Sequence, residues 1–288
     1  QLLNGNVFDK NGMAILPNPL PIRDRAMRQI SQAIDEGRGG EHGGVFWYVG
    51  SSSKGEVELR KQLNSAQYRY IMAHGIDPVT DKIEVAPGAH YLMGGIHIDQ
   101  ECRSTIQGLF AVPECAGNFD GANRMAGNGL TATLVFGAKA GQHAYFWASR
   151  KGDCSIDVNS LQAELERIEK KISFSKQKSN LVNLTQRLRW AVQTYAGVRR
   201  DALGLSKLMK IVQEILDESK KETVDRIGVY NQRLIEMMQV ETMCETAMLI
   251  AGSALFRTES RGHHFRVDYP SQDDEKWLCH ISSLKTPY

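Results

Sequence analysis

A chain of 288 residues with 42% hydrophobic and 24% charged residues has the balance of a soluble globular protein and the length for two compact units. Its formal charge is only +2 and its basic residues are scattered, which leaves no basic stripe for nucleic acid or a membrane surface. No apolar run approaches the roughly 18 residues needed to span a bilayer, and the stretch opening at Gln1 is polar, without the apolar core of a signal peptide.

In chain order, Asn4-Gly5 and Asn11-Gly12 flank Val7 to Lys10 and predict a turn-rich β element. Pro17, Pro19 and Pro21 punctuate an extended run, after which Ile22, Ala26, Met27, Ile30, Ala33 and Ile34 recur at helical spacing until Gly37. The densest glycine cluster lies in Pro87 to Gly141. There an apolar run, Gly108 to Val112, predicts a strand, followed by Glu114, a Gly/Asn/Asp-rich loop and a helix from near Gly127 through Ala138. A glycine-rich loop feeding a helix N-terminus presents bare N–H groups and partial positive charge, which suits an anion or a polarised carbonyl, or equally a tight structural turn.

From about Ile156 the pattern becomes helical. Leu161, Leu165, Ile168 and Ile172 mark one helix, Leu181 to Tyr195 a second, Leu205 to Leu216 a third and Tyr230 to Phe256 a fourth. The methionines of that fourth helix read as core packing of a bundle rather than as a partner groove, and Lys170-Lys171 and Lys220-Lys221 as solvated faces. The five cysteines (Cys102, Cys115, Cys154, Cys244, Cys279) are odd in number and lack CxxC spacing, so they read as reduced thiols of a cytoplasmic protein and neither a zinc nor an iron–sulfur site. His263 and His264 are adjacent, and neighbours that point to different sides ligate one ion poorly, so no metal site is expected.

Four motifs in order, HYLMGG at His90 to Gly95, GLFAVPECAG at Gly108 to Gly117, DGANRMAGNGL at Asp120 to Leu130 and ESRGHHFRVDYPSQDDEKWL at Glu259 to Leu278, resemble the flavoprotein subunit of succinate dehydrogenase and fumarate reductase. The resemblance implies a mixed α+β and α/β fold: part of a capping domain at 1–85, the returning part of an FAD-binding domain at 86–150, and a helical domain with a C-terminal extension at 151–288. No strand here is followed by GxGxxG, the fingerprint that holds a dinucleotide pyrophosphate. In the resembled family that fingerprint lies far upstream, so this sequence is expected to be a C-terminal portion of a longer flavoprotein.

The same resemblance implies residue roles. Arg23, in the Arg23-Asp24 pair that opens the helix before Glu36-Gly37-Arg38-Gly39, corresponds to the arginine that donates the proton to substrate. On its residues alone, the cluster Arg23, Arg25, Arg28 reads as a solvated basic face. His90 and Arg124 correspond to residues that bind the carboxylates of a small dicarboxylate; without the resemblance, His90 reads as structural and Arg124 as a partner of Asp120. Glu114 corresponds to a carboxylate that binds the ribose of the adenosine half of FAD, and Asn128, Gly129 and Leu130 to the helix start that approaches the flavin pyrimidine ring. Gly129 stands where the family usually has Ser, and Asp120 where it often has His, which opens the question of the substrate.

The implied activity is interconversion of fumarate and succinate, with a hydride from flavin N5 and a proton from arginine. An iron–sulfur subunit is a possible partner, with peripheral attachment to the inner membrane through partner subunits and no direct insertion. L-aspartate oxidase and an adenylylsulfate reductase-like flavoprotein are the alternatives within the same fold, with Met93 leaning towards the dicarboxylate reductases. A non-catalytic fragment or docking module is the alternative of another class.

Overall fold

The computed structural model describes residues 6–17, 20–48, 65–77, 80–152, 155–173, 180–225 and 230–284, and it divides into two compact units, Gln1–His90 and Tyr91–Tyr288. Asn4, Gly5 and Cys154 lie outside the described residues.

The first unit is built on a three-stranded antiparallel sheet in the order β1 (Asn6–Phe8), β2 (Val45–Tyr48), β3 (Ile83–Val85), with Val7 opposite Trp47 and Val45 opposite Val85. The expected turn after Val7 to Lys10 forms: Asp9 accepts from the N–H groups of Asn11 and Met13, and the chain returns so that Ile15 N–H donates to Val7. Helix α1 (Arg23–Ala33) buries Ala26, Ile30 and Ala33, the face the periodicity marks, and Ala26 and Ile30 pack with Val7 and Val45. It runs on through a widened turn, Ile34–Arg38, to the glycine the sequence marks as its end. A second helix, α2 (Ser65–Ala73), precedes β3. Glu84 on β3 accepts from the N–H groups of His42 and Gly44, which fastens the loop between α1 and β2 to the sheet.

In the second unit, Gly95 runs beside Cys115, with Ile96 N–H donating to the Cys115 carbonyl and Gly117 N–H to the Ile96 carbonyl. A Cβ on Gly95 would lie 2.2 Å from that Cys115 oxygen, so only glycine allows the two motif segments to touch. The run Gly108 to Val112 is not a strand. Phe110 makes a single antiparallel bridge to Arg103, and Ala111 and Val112 pack with Ile98, Cys102 and Ala140 instead. A five-residue apolar run thus serves a compact loop that lies on helix α3 (Asn128–Lys151).

Helices α4 (Val158–Glu169), α5 (Leu181–Tyr195), α6 (Ala202–Ser219) and α7 (Gln232–Phe256) follow, with a short helix α8 (Asp274–Trp277) near the end. Three of them share one core, in which Leu184, Leu188, Leu205, Leu208, Val212, Ile215, Met237 and Val240 are buried. Each such side chain contributes about 1.5–3 kcal/mol on leaving water. Two expectations need correction here. Ile172 is not in a helix: it begins β4 (Ile172–Ser173), which pairs in parallel with β5 (Val224–Asp225). Lys171 is not a solvated lysine: it is buried, and its ammonium is paired with Glu241 of α7, which Arg167 also approaches at 3.5 Å. A charge leaves water this far only when it is paired. Of the α7 methionines, Met237 is in the core, whereas Met238 and Met243 line an open groove with Ile235, Gln239 and Thr242.

Candidate functional site

The expected site residues divide between the two units. Arg23 and His90 belong to the first; Glu114, Arg124, Asn128, Gly129 and Leu130 belong to the second. Arg23 is the exposed first residue of α1, whose N-cap, Ile22, supplies no side-chain hydrogen bond. A cation at a helix N-terminus opposes the macrodipole by a few tenths of a kcal/mol to about 1 kcal/mol. The next residue is of the favourable sign: Asp24 is buried and pairs with Arg28 at 3.4 Å. His90 is exposed.

Within the second unit, helix α3 starts without a side-chain cap, because its N-cap is Gly127 in the left-handed conformation. Asn128 N–H turns back to the Met125 carbonyl, and the N–H groups of Gly129 and Leu130 have no acceptor within the helix. These donors sit beside exposed apolar side chains, Leu130 at 81% and Leu134 at 76%. Paired donors flanked by apolar surface fit the polar edge of a planar heterocycle.

Arg124 stands one step before this helix, and it is not paired with Asp120. Its guanidinium lies over the Tyr91 ring, 4.1 Å from the centroid, and its Nη1 donates to the Met125 carbonyl at 3.1 Å. Its backbone N–H donates to the Met93 sulfur at 3.0 Å. Its Nε is buried with no hydrogen-bond partner, and the buried Tyr91 hydroxyl makes no bond to it, having the Asp120 carboxylate as its polar neighbour. Burial, and then the neighbouring Asp120 carboxylate, push the Tyr91 phenol above its ordinary pKa, so the hydroxyl stays protonated at neutral pH. Unpaired buried donors are costly and uncommon, and the Nε–H/Nη2–H edge of a guanidinium is one of its two bidentate grips on a carboxylate. Glu114 accepts from Leu92 N–H at 3.0 Å through Oε1, and Oε2 is left available to a hydroxyl.

The loop that carries Arg124 is held from behind by the C-terminal segment. His263 N–H donates to the Ala122 carbonyl at 2.9 Å, and a Cβ on Gly262 would lie 2.2 Å from that oxygen. Gly262 also has a φ of +56°, so glycine is needed there twice over. The segment is fixed by Glu259, which is fully buried and bonded to Arg257 at 2.5 Å, to Arg261 at 2.8 and 3.0 Å and to Asp273 N–H at 2.9 Å. Burial alone would raise its pKa, but the bonds from Arg261, Asp273 and Arg257 hold it below the usual range. Arg266, also buried, pairs with Asp268 and donates to the free carbonyls of Ala254 and Leu255 at the end of α7. His264 lies between Arg200 and the Arg257 carbonyl, at 3.4 and 3.3 Å. An arginine can only donate and a carbonyl only accept, so the ring is neutral with its proton on Nε2. The adjacent histidines thus serve packing and loop support.

The sequence reading missed Tyr91 and Met93 as partners of Arg124. The aromatic residue beside His90 was the available signal, but its contact with a residue 33 positions later depends on the Gly95 crossing.

Two family models match this chain: an FAD binding domain over residues 5–130 and the fumarate reductase flavoprotein C-terminal domain over residues 185–287. A fumarate reductase (CoM/CoB) chain of Methanothermobacter marburgensis is 33% identical over 258 residues, covering 89% of this chain and 46% of that protein. Among solved structures, Escherichia coli quinol fumarate reductase superposes with a TM-score of 0.83 at 28% identity, over 96% of this chain and 51% of that one. A Mycobacterium smegmatis Sdh1 structure superposes with a TM-score of 0.79 at 29% identity, over 94% and 46%. The chain spans about half the length of the relatives it matches.

Proposed function

We propose, from the premise that this chain belongs to the flavoprotein family of succinate dehydrogenase and fumarate reductase, that it forms part of an FAD-dependent oxidoreductase interconverting fumarate and succinate. The cofactor is FAD, and the residues present suit it: bare N–H groups at Gly129 and Leu130 beside apolar side chains, and a Glu114 oxygen free for a ribose hydroxyl. When bound, FAD supplies the hydride added to one alkene carbon of the substrate.

The chain's own residues do the rest of the work. Arg124 takes one substrate carboxylate on its Nε/Nη2 edge, whose Nε has no partner within the protein, and His90 takes the other. A dicarboxylate held at both ends has its central carbons fixed in place, which turns a bimolecular encounter into an oriented one. Arg23 delivers the proton to the second carbon. An arginine holds its proton far too tightly to be a good bulk acid, but it can pass one transiently to a carbanion-like centre. The segment assignments follow: 1–85 as capping domain, 86–150 as the returning part of the FAD domain and 151–288 as helical domain. Electrons come from or go to an iron–sulfur partner subunit. Among the described residues no helix is long and apolar enough to cross a membrane.

The observation that carries this reading is Arg124, a guanidinium with a buried, unpaired Nε beside an uncapped helix N-terminus. The test is fumarate-dependent reoxidation of reduced flavin in the holoenzyme. We expect fumarate to reoxidise it and Arg124→Gln to slow the reaction about 100-fold or more at subsaturating fumarate while flavin stays bound. Flavin that ignores fumarate but is reduced by L-aspartate would replace the substrate and keep the fold.

A further inference from the structure

We infer that the ring of Tyr91 positions Arg124 for carboxylate binding, an inference that rests on the dicarboxylate reading above. Arginine has a long, rotamer-rich side chain, and a bidentate grip requires its plane to be set before substrate arrives. Three contacts set it here. The backbone is fixed by the Met93 sulfur, Nη1 is held by the Met125 carbonyl, and the plane rests on the Tyr91 face at 4.1 Å. Only the last constrains rotation of the guanidinium out of plane, since one hydrogen bond at Nη1 leaves a hinge.

The Tyr91 hydroxyl makes no hydrogen bond to Arg124 and has the Asp120 carboxylate as its polar neighbour, so the ring face and not the hydroxyl does the positioning. The space around the pair is also shaped: Gly129 on α3 faces both, and a Cβ there would lie 3.4 Å from Arg124 Nη1 and 3.6 Å from Tyr91 Cε2. Tyr91 is therefore a positioning residue. It acts on substrate through Arg124, and its removal should loosen one of the two carboxylate grips while leaving the other intact.

The experiment measures binding of succinate and of butyrate, a monocarboxylate of equal chain length, to the holoenzyme by perturbation of the flavin spectrum and by equilibrium dialysis. Tyr91→Leu is expected to weaken succinate about 5–20-fold and to narrow its preference over butyrate. Tyr91→Phe is expected to bind both as the parent does, and it carries the test by itself if the leucine variant fails to fold. Loss of succinate binding in Tyr91→Phe would overturn the inference, because the hydroxyl would then be the acting group. Parent-like binding in Tyr91→Leu would also overturn it. Arg124→Gln separates the two levels. If it abolishes the succinate preference while Tyr91→Leu does not, this inference alone falls; if Arg124→Gln changes nothing, the dicarboxylate reading falls with it.

Discussion

The helices α5 to α7 and the loop Tyr91 to Leu130 solve opposite problems within one unit. The helices close a core of leucine, valine and methionine whose central members are fully buried. The loop keeps an unpaired buried donor on Arg124 and bare N–H groups at the start of α3. Among the described residues of α5 to α7 no buried side-chain donor or acceptor is left without a partner, whereas the loop keeps one on Arg124. Such departures concentrate where a ligand is meant to complete the structure.

A substitution in each part should therefore separate stability from binding. The largest effect is expected from Leu208→Ala, which opens a cavity in a fully buried position: about 3–5 kcal/mol of stability lost in chemical denaturation, with succinate affinity unchanged in the fraction that remains folded. Glu259→Ala is expected to cross the divide. It strands Arg257 and Arg261 without their carboxylate, costing about 3 kcal/mol. It also frees the segment that holds the Ala122 carbonyl, so succinate binding should weaken as well. If binding is untouched, the segment supports the fold but does not position the Arg124 loop.

A smaller, pH-dependent effect belongs to His264. Burial first, and then Arg200, depress its pKa to about 4. The unfolded value is about 6.5, so between these limits the unfolded state binds more protons than the folded one. Stability is fully present above about pH 6.5 and is lost as pH falls towards 4. The loss reaches roughly 3 kcal/mol at most, because the ring is only partly shielded from solvent. His264→Asn should flatten this slope in urea midpoints measured from pH 7 to 5, where the acidic groups contribute little.

The same contrast explains what could be read from the sequence. Periodicity found α5, α6 and α7 because a helix buries one stripe, and that stripe is visible in one dimension. It misassigned Ile172, where three residues of helical spacing continued into a two-residue strand whose partner, Val224, lies far along the chain. It took Lys171 as solvated because the partner, Glu241, is 70 positions away. Motif resemblance marked Arg124, Glu114 and the α3 start, but not Tyr91. Local patterns record what a residue does for its own element, and a stacking partner brought in by the Gly95 crossing leaves no such trace.

Gly129 offers the smallest and sharpest test. It lies in the first turn of α3, where glycine costs up to about 1 kcal/mol relative to alanine. A methyl group there would meet Arg124 Nη1 at 3.4 Å and Tyr91 Cε2 at 3.6 Å, close but ordinary contact, so nothing in the protein itself forbids it. Gly129→Ala should therefore raise the midpoint of thermal unfolding by about 1–2 °C in the flavin-free protein, from roughly 0.5 kcal/mol of helix propensity. The same methyl group sits beside the N–H donors that the proposed reading assigns to FAD, and on that reading flavin affinity should fall several-fold. A more stable protein that holds its cofactor less well would mean that stability is given up at this position for binding. If Gly129→Ala binds flavin as tightly as the parent, the opening at the start of α3 is not shaped for the cofactor, and the contrast between the two regions narrows to Tyr91 and Arg124.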